Sequence, residues 1–240
     1  MPAMHRLALI ALMILPAAQV FAQAPQPTEE NFRKHLGMAP SARLEYRDLE
    51  CRKVDFAGFV AGMSTAGAHA DVDRAADGSA VTMTVRLRGL QSCPSPYPPV
   101  TAMPAFDLKD LDGKRVTSAG LRGKPTLVSF YFAGCVPCIL EVQPINRFAA
   151  ARPQMNFVAM TPDGPEVARE FVRRFDLRWR VVPGADDFIQ RMRVKQYPLM
   201  ALFDASGKLL GTKTGGARDE LEAANVEPQL KRWVEGLLHP

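Results

Sequence analysis

Residues Phe132–Cys138 read FAGCVPC, behind the run TLVSFY and ahead of ILEVQPINRF. Two cysteines separated by two residues suit half a zinc site, a copper(I) clip or a redox couple. The flanks narrow the choice. Pro125–Phe132 (PTLVSFYF) is a short apolar run rich in β-formers, bounded by Gly-Lys-Pro before it and Gly134 after it, which predicts a buried strand. The stretch that follows, through Phe148, places Val142, Ile145 and Ala149 on one face and predicts a helix, with Pro144 as a kink. The cysteines therefore fall where a strand gives way to a helix. A thiolate there meets unpaired backbone N–H groups and the positive end of the helix dipole, so its pKa falls. Cys135 is expected to be the outer, exposed nucleophile, and Cys138, one turn in, is placed to attack a mixed disulfide. Pro137 is tolerated because first-turn N–H groups have no helical partner.

The metal readings fit less well. Tetrahedral zinc needs two further ligands, and none of His5, His35, His69 and His239 forms a short-spaced motif. Copper(I) accepts two thiolates readily, so a non-enzymatic copper carrier or adaptor is the alternative function. Against it, the segment Phe175–Phe203 offers no histidine to complete a site. An inert staple explains little, since a three-residue loop closes little chain entropy. No cofactor and no bound metal are expected.

The N-terminus sets the compartment. Met1–Arg6 carries His5 and Arg6 but no acid, Leu7–Leu15 is unbroken LALIALMIL, and Val20-Phe21-Ala22 presents small residues where a signal peptidase reads. Residues 1–22 are expected to be a signal peptide for export, most simply to the periplasm, with an uncleaved membrane anchor as the alternative. Export means that the four cysteines are presumed paired. Four cysteines allow three connectivities, of which Cys135–Cys138 with Cys51–Cys93 is the simplest.

With 47% hydrophobic and 23% charged residues, the chain of 240 can bury a core. Its net charge of +5 is interspersed, without the basic block that nucleic-acid binding would need. The clearest seam is CPSPYPPV at Cys93–Val100, a stiff, extended run suited to a spacer. It divides a small α+β unit at 23–92 from a larger one at 104–240, with a proline-rich linker at 93–103 between them. In the small unit Asp55–Met63 has the spacing of a helix face, and Ala70–Asp73 and Ala80–Leu87 alternate as strands around Asp77-Gly78. Such a unit is near the lower size limit for a core alone, so a Cys51–Cys93 bond would matter. In the large unit Asn156–Met160 and Leu199–Phe203 read as strands, the latter turning through Asp204–Gly207 into Lys208–Thr212. Asp163-Gly-Pro-Glu166 reads as a helix start capped by Asp163, followed by the stripe Val167, Phe171, Val172 and Phe175. Arg169, Arg173, Arg174 and Arg178 lie off that stripe, as a solvated face. A terminal helix carries Leu230, Trp233, Val234 and Leu237.

Strand–CxxC–helix, Tyr197-Pro198 ahead of a later strand, and MPAFDLKDLDGK before the first core strand together resemble the thioredoxin fold. With the export signal, the pattern is similar to the TlpA/ResA-like thiol–disulfide oxidoreductases over about residues 101–238. The resemblance implies an α/β thioredoxin-like fold, a mixed sheet with helices on both faces, preceded by the small α+β domain. It implies that Cys135 attacks, that Cys138 resolves, and that Pro198, after Tyr197, is a cis-proline lying against the disulfide and pairing with substrate backbone. Glu141 stands six after Cys135, where many exported members carry an acid. Independently, three residues after Cys138 on a helix, it can share that face and exchange a proton with Cys138. The partners implied are disulfide-containing or dithiol proteins and an exported or membrane thiol donor, with oligomeric state open.

Departures from the pattern bear on potential and substrate range. Gly134 replaces the usual Trp, so an aromatic lid is missing or comes from Phe132 or Tyr131. Pro144 falls one position late, and Ser129 stands where cytosolic thioredoxins bury an aspartate. Phe132, where peroxiredoxin-type sites place Thr, argues against a peroxidase. Val136 and Pro137 supply no charge, and Glu141 opposes a nearby thiolate, which together predict a reductant.

Overall fold

The computed structural model of the chain describes residues 28–90 and 93–239; the expected signal at 1–22 lies outside the described residues. In chain order the N-terminal part contains α1 (Glu29–His35), β1 (Arg43–Arg47), β2 (Lys53–Val54), α2 (Phe56–Met63), β3 (Ala68–Arg74) and β4 (Ala80–Leu87). The C-terminal part opens with the hairpin β5 (Asp107–Lys109) and β6 (Arg115–Thr117), then β7 (Thr126–Phe130), α3 (Val136–Ala150), β8 (Asn156–Met160) and α4 (Pro165–Phe175). It closes with β9 (Arg180–Val182), α5 (Asp186–Arg191), β10 (Leu199–Phe203), β11 (Leu209–Thr214), α6 (Glu220–Ala224) and α7 (Val226–Leu238). Among the described residues no helix is long and apolar enough to cross a membrane.

The C-terminal sheet has the order β11-β10-β7-β8-β9. Strands β7, β8 and β9 run parallel, and β10 is antiparallel to both β7 and β11. Because side chains alternate along a strand, β7 feeds two cores at once. Leu127 and the following Tyr131 join Val142, Ile145, Phe171 and Leu230 beneath α3, α4 and α7. Val128 and Phe130 face the other way, into Phe188, Ile189, Phe203 and Phe106 under α5 and the opening hairpin. The mixed sheet with helices on both faces is the thioredoxin-like arrangement.

The N-terminal sheet, β2-β1-β4-β3, pairs β1 with β4 in parallel and its other neighbours antiparallel. One face buries Tyr46, Val81, Met83 and Val85 beneath α1 and α2, where Phe59 is fully buried. Asp55 caps α2 by accepting from the Gly58 N–H at 2.8 Å.

The proline-rich stretch departs from the expected spacer. It lies on the other face of this sheet, which explains why Thr82, Thr84 and Arg86 are buried there. Tyr97 Oη and Thr82 Oγ1 are 2.8 Å apart, Arg47 donates to the Pro94 carbonyl at 3.3 Å, and Arg86 Nη1 donates to Cys93 Sγ at 3.5 Å. Cys93 is bonded to Cys51, with Cα atoms 5.7 Å apart. The stiffness of the run is used to strap one sheet face, so its prolines, which lack N–H donors, sit where no ladder is needed.

Candidate active site

Cys135 is the N-cap of α3, with extended backbone, and is bonded to Cys138 across a Cα separation of 5.2 Å. The Cys138 N–H donates to Cys135 Sγ at 3.2 Å, so the first-turn donor left free by helix geometry points at sulfur. The two cysteines are equally enclosed, each 4% exposed. That corrects the expectation of an exposed Cys135 beside a covered Cys138. In the disulfide form both sulfurs close the top of the core formed with Tyr131 and Val142, and neither projects.

The loop before the helix is held from a distance. Asp163 does not cap α4: Pro165 takes the first helical position, the cap falls on Gly164, and no side chain bonds it. The Asp163 carboxylate instead accepts from the Ala133 N–H at 2.6 Å and from Thr161 Oγ1 at 2.9 Å. A residue expected to start a helix thus fixes the backbone two residues ahead of Cys135. The misplaced Asp was readable in principle, because a Pro at 165 moves the cap to 164.

Phe132 is the aromatic at the surface, 38% exposed, with its ring edge-on to Tyr197 at 5.3 Å. A Cβ at position 134 would stand 3.3 Å from that ring, so Gly134 makes room for it. Tyr131 is in the core, tilted against Phe171 at 4.6 Å, with a buried hydroxyl that has no partner among the described residues. Burial, then the Asp163 carboxylate, pushes its phenol pKa up.

The Tyr197–Pro198 bond is cis, and the Pro198 carbonyl accepts from the Gly215 N–H at 3.1 Å. Gly216, at φ 131°, brings its Cα side close to both helix and loop: a Cβ there would lie 3.5 Å from Pro137 and 3.8 Å from Pro198. Its N–H donates to Glu141 Oε1 at 2.7 Å. At position 215 a Cβ would meet the same oxygen at 2.6 Å, closer than real carbon atoms come. The glycine pair therefore lets one turn grip both the cis-proline and Glu141, a role not visible in the sequence because the partners are 75 residues apart.

Glu141 is only 3% exposed, so it is not a solvated helix glutamate. Burial raises its carboxyl pKa, against the pull of the Gly216 and Ala217 N–H groups and of Lys213. It lines a small cavity of about 10 Å³ with Cys138, Ser129, Tyr131 and Pro198, room for about one water. It also lines an outer pocket of about 390 Å³ with Lys213, Gly216 and Gln229. A buried carboxyl with a raised pKa between these two spaces can pass a proton between the helix sulfur and the outside.

Residues 99–230 match the Redoxin family model. The thiol-disulfide oxidoreductase ResA of Bacillus thuringiensis subsp. konkukian is 24% identical over 136 residues, 55% of this chain and 74% of that protein. The soluble secreted antigen MPT53 of Mycobacterium bovis is 29% identical over 104 residues, covering 42% of this chain and 60% of the antigen. A crystal structure from Chlorobium tepidum, of a protein assigned as thiol:disulfide interchange protein DsbE, superposes on 57% of this chain and 98% of its own at a TM-score of 0.50 and 20% identity, a likeness of fold. The chain belongs to the Redoxin family, as a thiol–disulfide oxidoreductase of the TlpA/ResA type with a thioredoxin-like fold.

Proposed function

We propose that the protein is exported and reduces protein disulfides through Cys135 and Cys138. The observation that carries this reading is the enclosure of the pair between the N-terminus of α3, the Tyr197–cis-Pro198 turn and buried Glu141. In the reduced enzyme the Cys135 thiolate attacks one sulfur of a substrate disulfide, and the second substrate sulfur leaves as a thiolate. The Cys138 N–H, which donates to Cys135 Sγ, stabilises negative charge on that sulfur. Glu141 takes the Cys138 proton, and the Cys138 thiolate then attacks Cys135 Sγ. This expels the substrate's other thiolate and forms the Cys135–Cys138 bond. An exported or membrane-bound dithiol protein returns the two electrons.

The direction follows from charge. No cation stands between the cysteines, and Glu141, which lines a cavity with Cys138, disfavours a thiolate when ionised. The couple is therefore expected near thioredoxin's potential, about −270 mV, and far from the strong oxidant's, about −120 mV. A glutathione titration of the wild-type pair tests this. A midpoint above about −180 mV, the level of an isomerase, reverses the assignment and makes the protein a disulfide donor. The residues before 101 form, on this reading, an appended domain.

A further inference from the structure

Between α5 and β10 the chain passes through residues 192–198, a run of turn and bend residues that ends in Tyr197–cis-Pro198. Three consecutive anchors tie this run to the N-terminal part. Just ahead of it, on α5, the guanidinium of buried Arg74 on β3 bonds Gln190 Oε1 at 2.7 Å and pairs with Asp187 at 3.3 Å. In its middle, Arg193, at φ 57°, donates to the carbonyl of Pro98 in the strap at 2.6 Å and lies 5.9 Å from the centre of the Tyr97 ring. Nearer its end, Lys195 donates to the Val72 carbonyl at 3.0 Å and pairs with Asp73 at 3.3 Å, both on β3. Lys195 is three residues from Pro198.

A non-glycine residue at positive φ is strained and persists where surroundings hold it. The Arg193 backbone is held where the strap receives its side chain. The strap is itself fixed by Tyr97 on Thr82 and by the Cys51–Cys93 bond. The contacts thus form one continuous chain from the N-terminal sheet to the cis-proline turn.

We infer that the N-terminal domain serves as a brace for this turn, with Arg193 and Lys195 as positioning residues that preset it for a protein substrate. The inference rests on the proposed reading, in which that turn pairs with substrate backbone. A preset turn spares the ordering cost on binding, so its loss raises KM for a protein substrate. Reaction with a small dithiol, which needs no backbone pairing, is unaffected.

The test compares the full-length wild type with Lys195→Met, Asp73→Ala, their double variant and Lys195→Arg. Turnover is read as insulin reduction and as oxidation of reduced ribonuclease, and the Cys135–Cys138 bond is also reduced with dithiothreitol alone. Amide hydrogen exchange is followed over residues 192–199. The expected result is an increase in KM of about 3- to 10-fold for either single variant, with the double no worse than a single, because the two residues act as one pair. Lys195→Arg restores KM, dithiothreitol reduction stays within about twofold, and exchange over 192–199 quickens. Unchanged exchange in Lys195→Met and Asp73→Ala overturns the brace. So does an equal fall in insulin and dithiothreitol rates, which places the effect on the disulfide itself. If the wild type acts on neither protein substrate, the functional reading fails, and with it the brace as a substrate device. Faster exchange in that case would show the contacts to be structural only.

Discussion

The Cys51–Cys93 bond joins positions 42 apart in the N-terminal part, whereas Cys135–Cys138 joins positions three apart at the first turn of a helix. Cys51 sits at φ 67° in a surface turn organised by Asp48, which accepts from the N–H groups of Glu50 and Arg52 at 3.0 and 2.9 Å. No cis-proline or buried carboxyl is among the contacts described for it. Its partner Cys93 begins the strap. The helix disulfide has the opposite surroundings: a backbone N–H on its sulfur, a cis-proline turn beside it and a buried acid behind it. Loop length and surroundings diverge together. A long loop gives a bond leverage over the unfolded chain, and a short one gives less than half as much here. Chemistry depends on what surrounds the sulfur, and stability on how much chain the bond encloses.

The largest expected effect separates the two bonds by activity. Cys135→Ser is expected to lower insulin reduction by about a thousandfold or more, as removal of a nucleophile does. The double variant Cys51→Ala, Cys93→Ala should lose no more than the roughly tenfold in KM expected of a loosened strap, with its maximal rate kept, when assayed well below its unfolding transition. Steady-state rates of the two proteins side by side decide it. Equal losses would mean that both bonds serve the reaction.

Stability should rank them the other way. In the chain-entropy account, a loop of this length contributes about 4 kcal/mol. Urea denaturation of the Cys51→Ala, Cys93→Ala variant should show a loss of that order in the N-terminal part. Selective reduction of Cys135–Cys138 should cost less than half as much, about 1.5–2 kcal/mol in the same account. An unchanged midpoint in the double variant would remove the distinction between the bonds.

The asymmetry between the two regions also explains what could be read from the sequence. Strands β8 and β10 were legible to the residue, because largely buried strands read as mostly apolar runs bounded by turn residues. The CxxC chemistry was legible because the strand–helix junction is local. Strand β1 (RLEYR) was not, since it alternates charge with a single buried Tyr46. Strand β9 and helix α5, of three and six residues, are too short for periodicity to register. Around the disulfide, Asp163 on Ala133 and Gly216 on Glu141 act across 30 and 75 residues. No local pattern encodes a backbone N–H meeting a carboxylate that far away.

Asp163 offers the third break in the comparison. A hydrogen bond from a backbone N–H to a charged acceptor contributes about 1.5–3 kcal/mol. Asp163→Ala should destabilise the protein by about that amount in urea, since it leaves the Ala133 N–H unsatisfied next to the site. Because Ala133 is two residues from Cys135, the variant should also lose insulin turnover out of proportion to its stability. A proportionate loss would demote Asp163 to an ordinary structural contact.

The smallest expected effect concerns Glu141 and is the sharpest probe of why the helix bond is reactive. In the folded protein its carboxyl pKa is raised above the ordinary 4.5, burial being the main cause. The folded state therefore holds the proton more tightly than the unfolded chain does between those two values. Stability from this group is fully present below pH 4.5 and is lost as pH rises through the folded pKa. Glu141→Gln, which keeps an oxygen for the Gly216 N–H, removes that titration. The oxidised variant should match wild type in acid and become the more stable of the two as pH rises, in urea denaturation at several pH values. The same change removes a negative charge that disfavours the Cys138 thiolate, so the thiol pKa should fall and the potential should rise. The shift should be modest, about 30 mV or less, a roughly tenfold change in the exchange constant. A fall in potential on glutathione titration would mean that Glu141 stabilises the reduced pair, and the proton-acceptor role assigned to it would have to be abandoned.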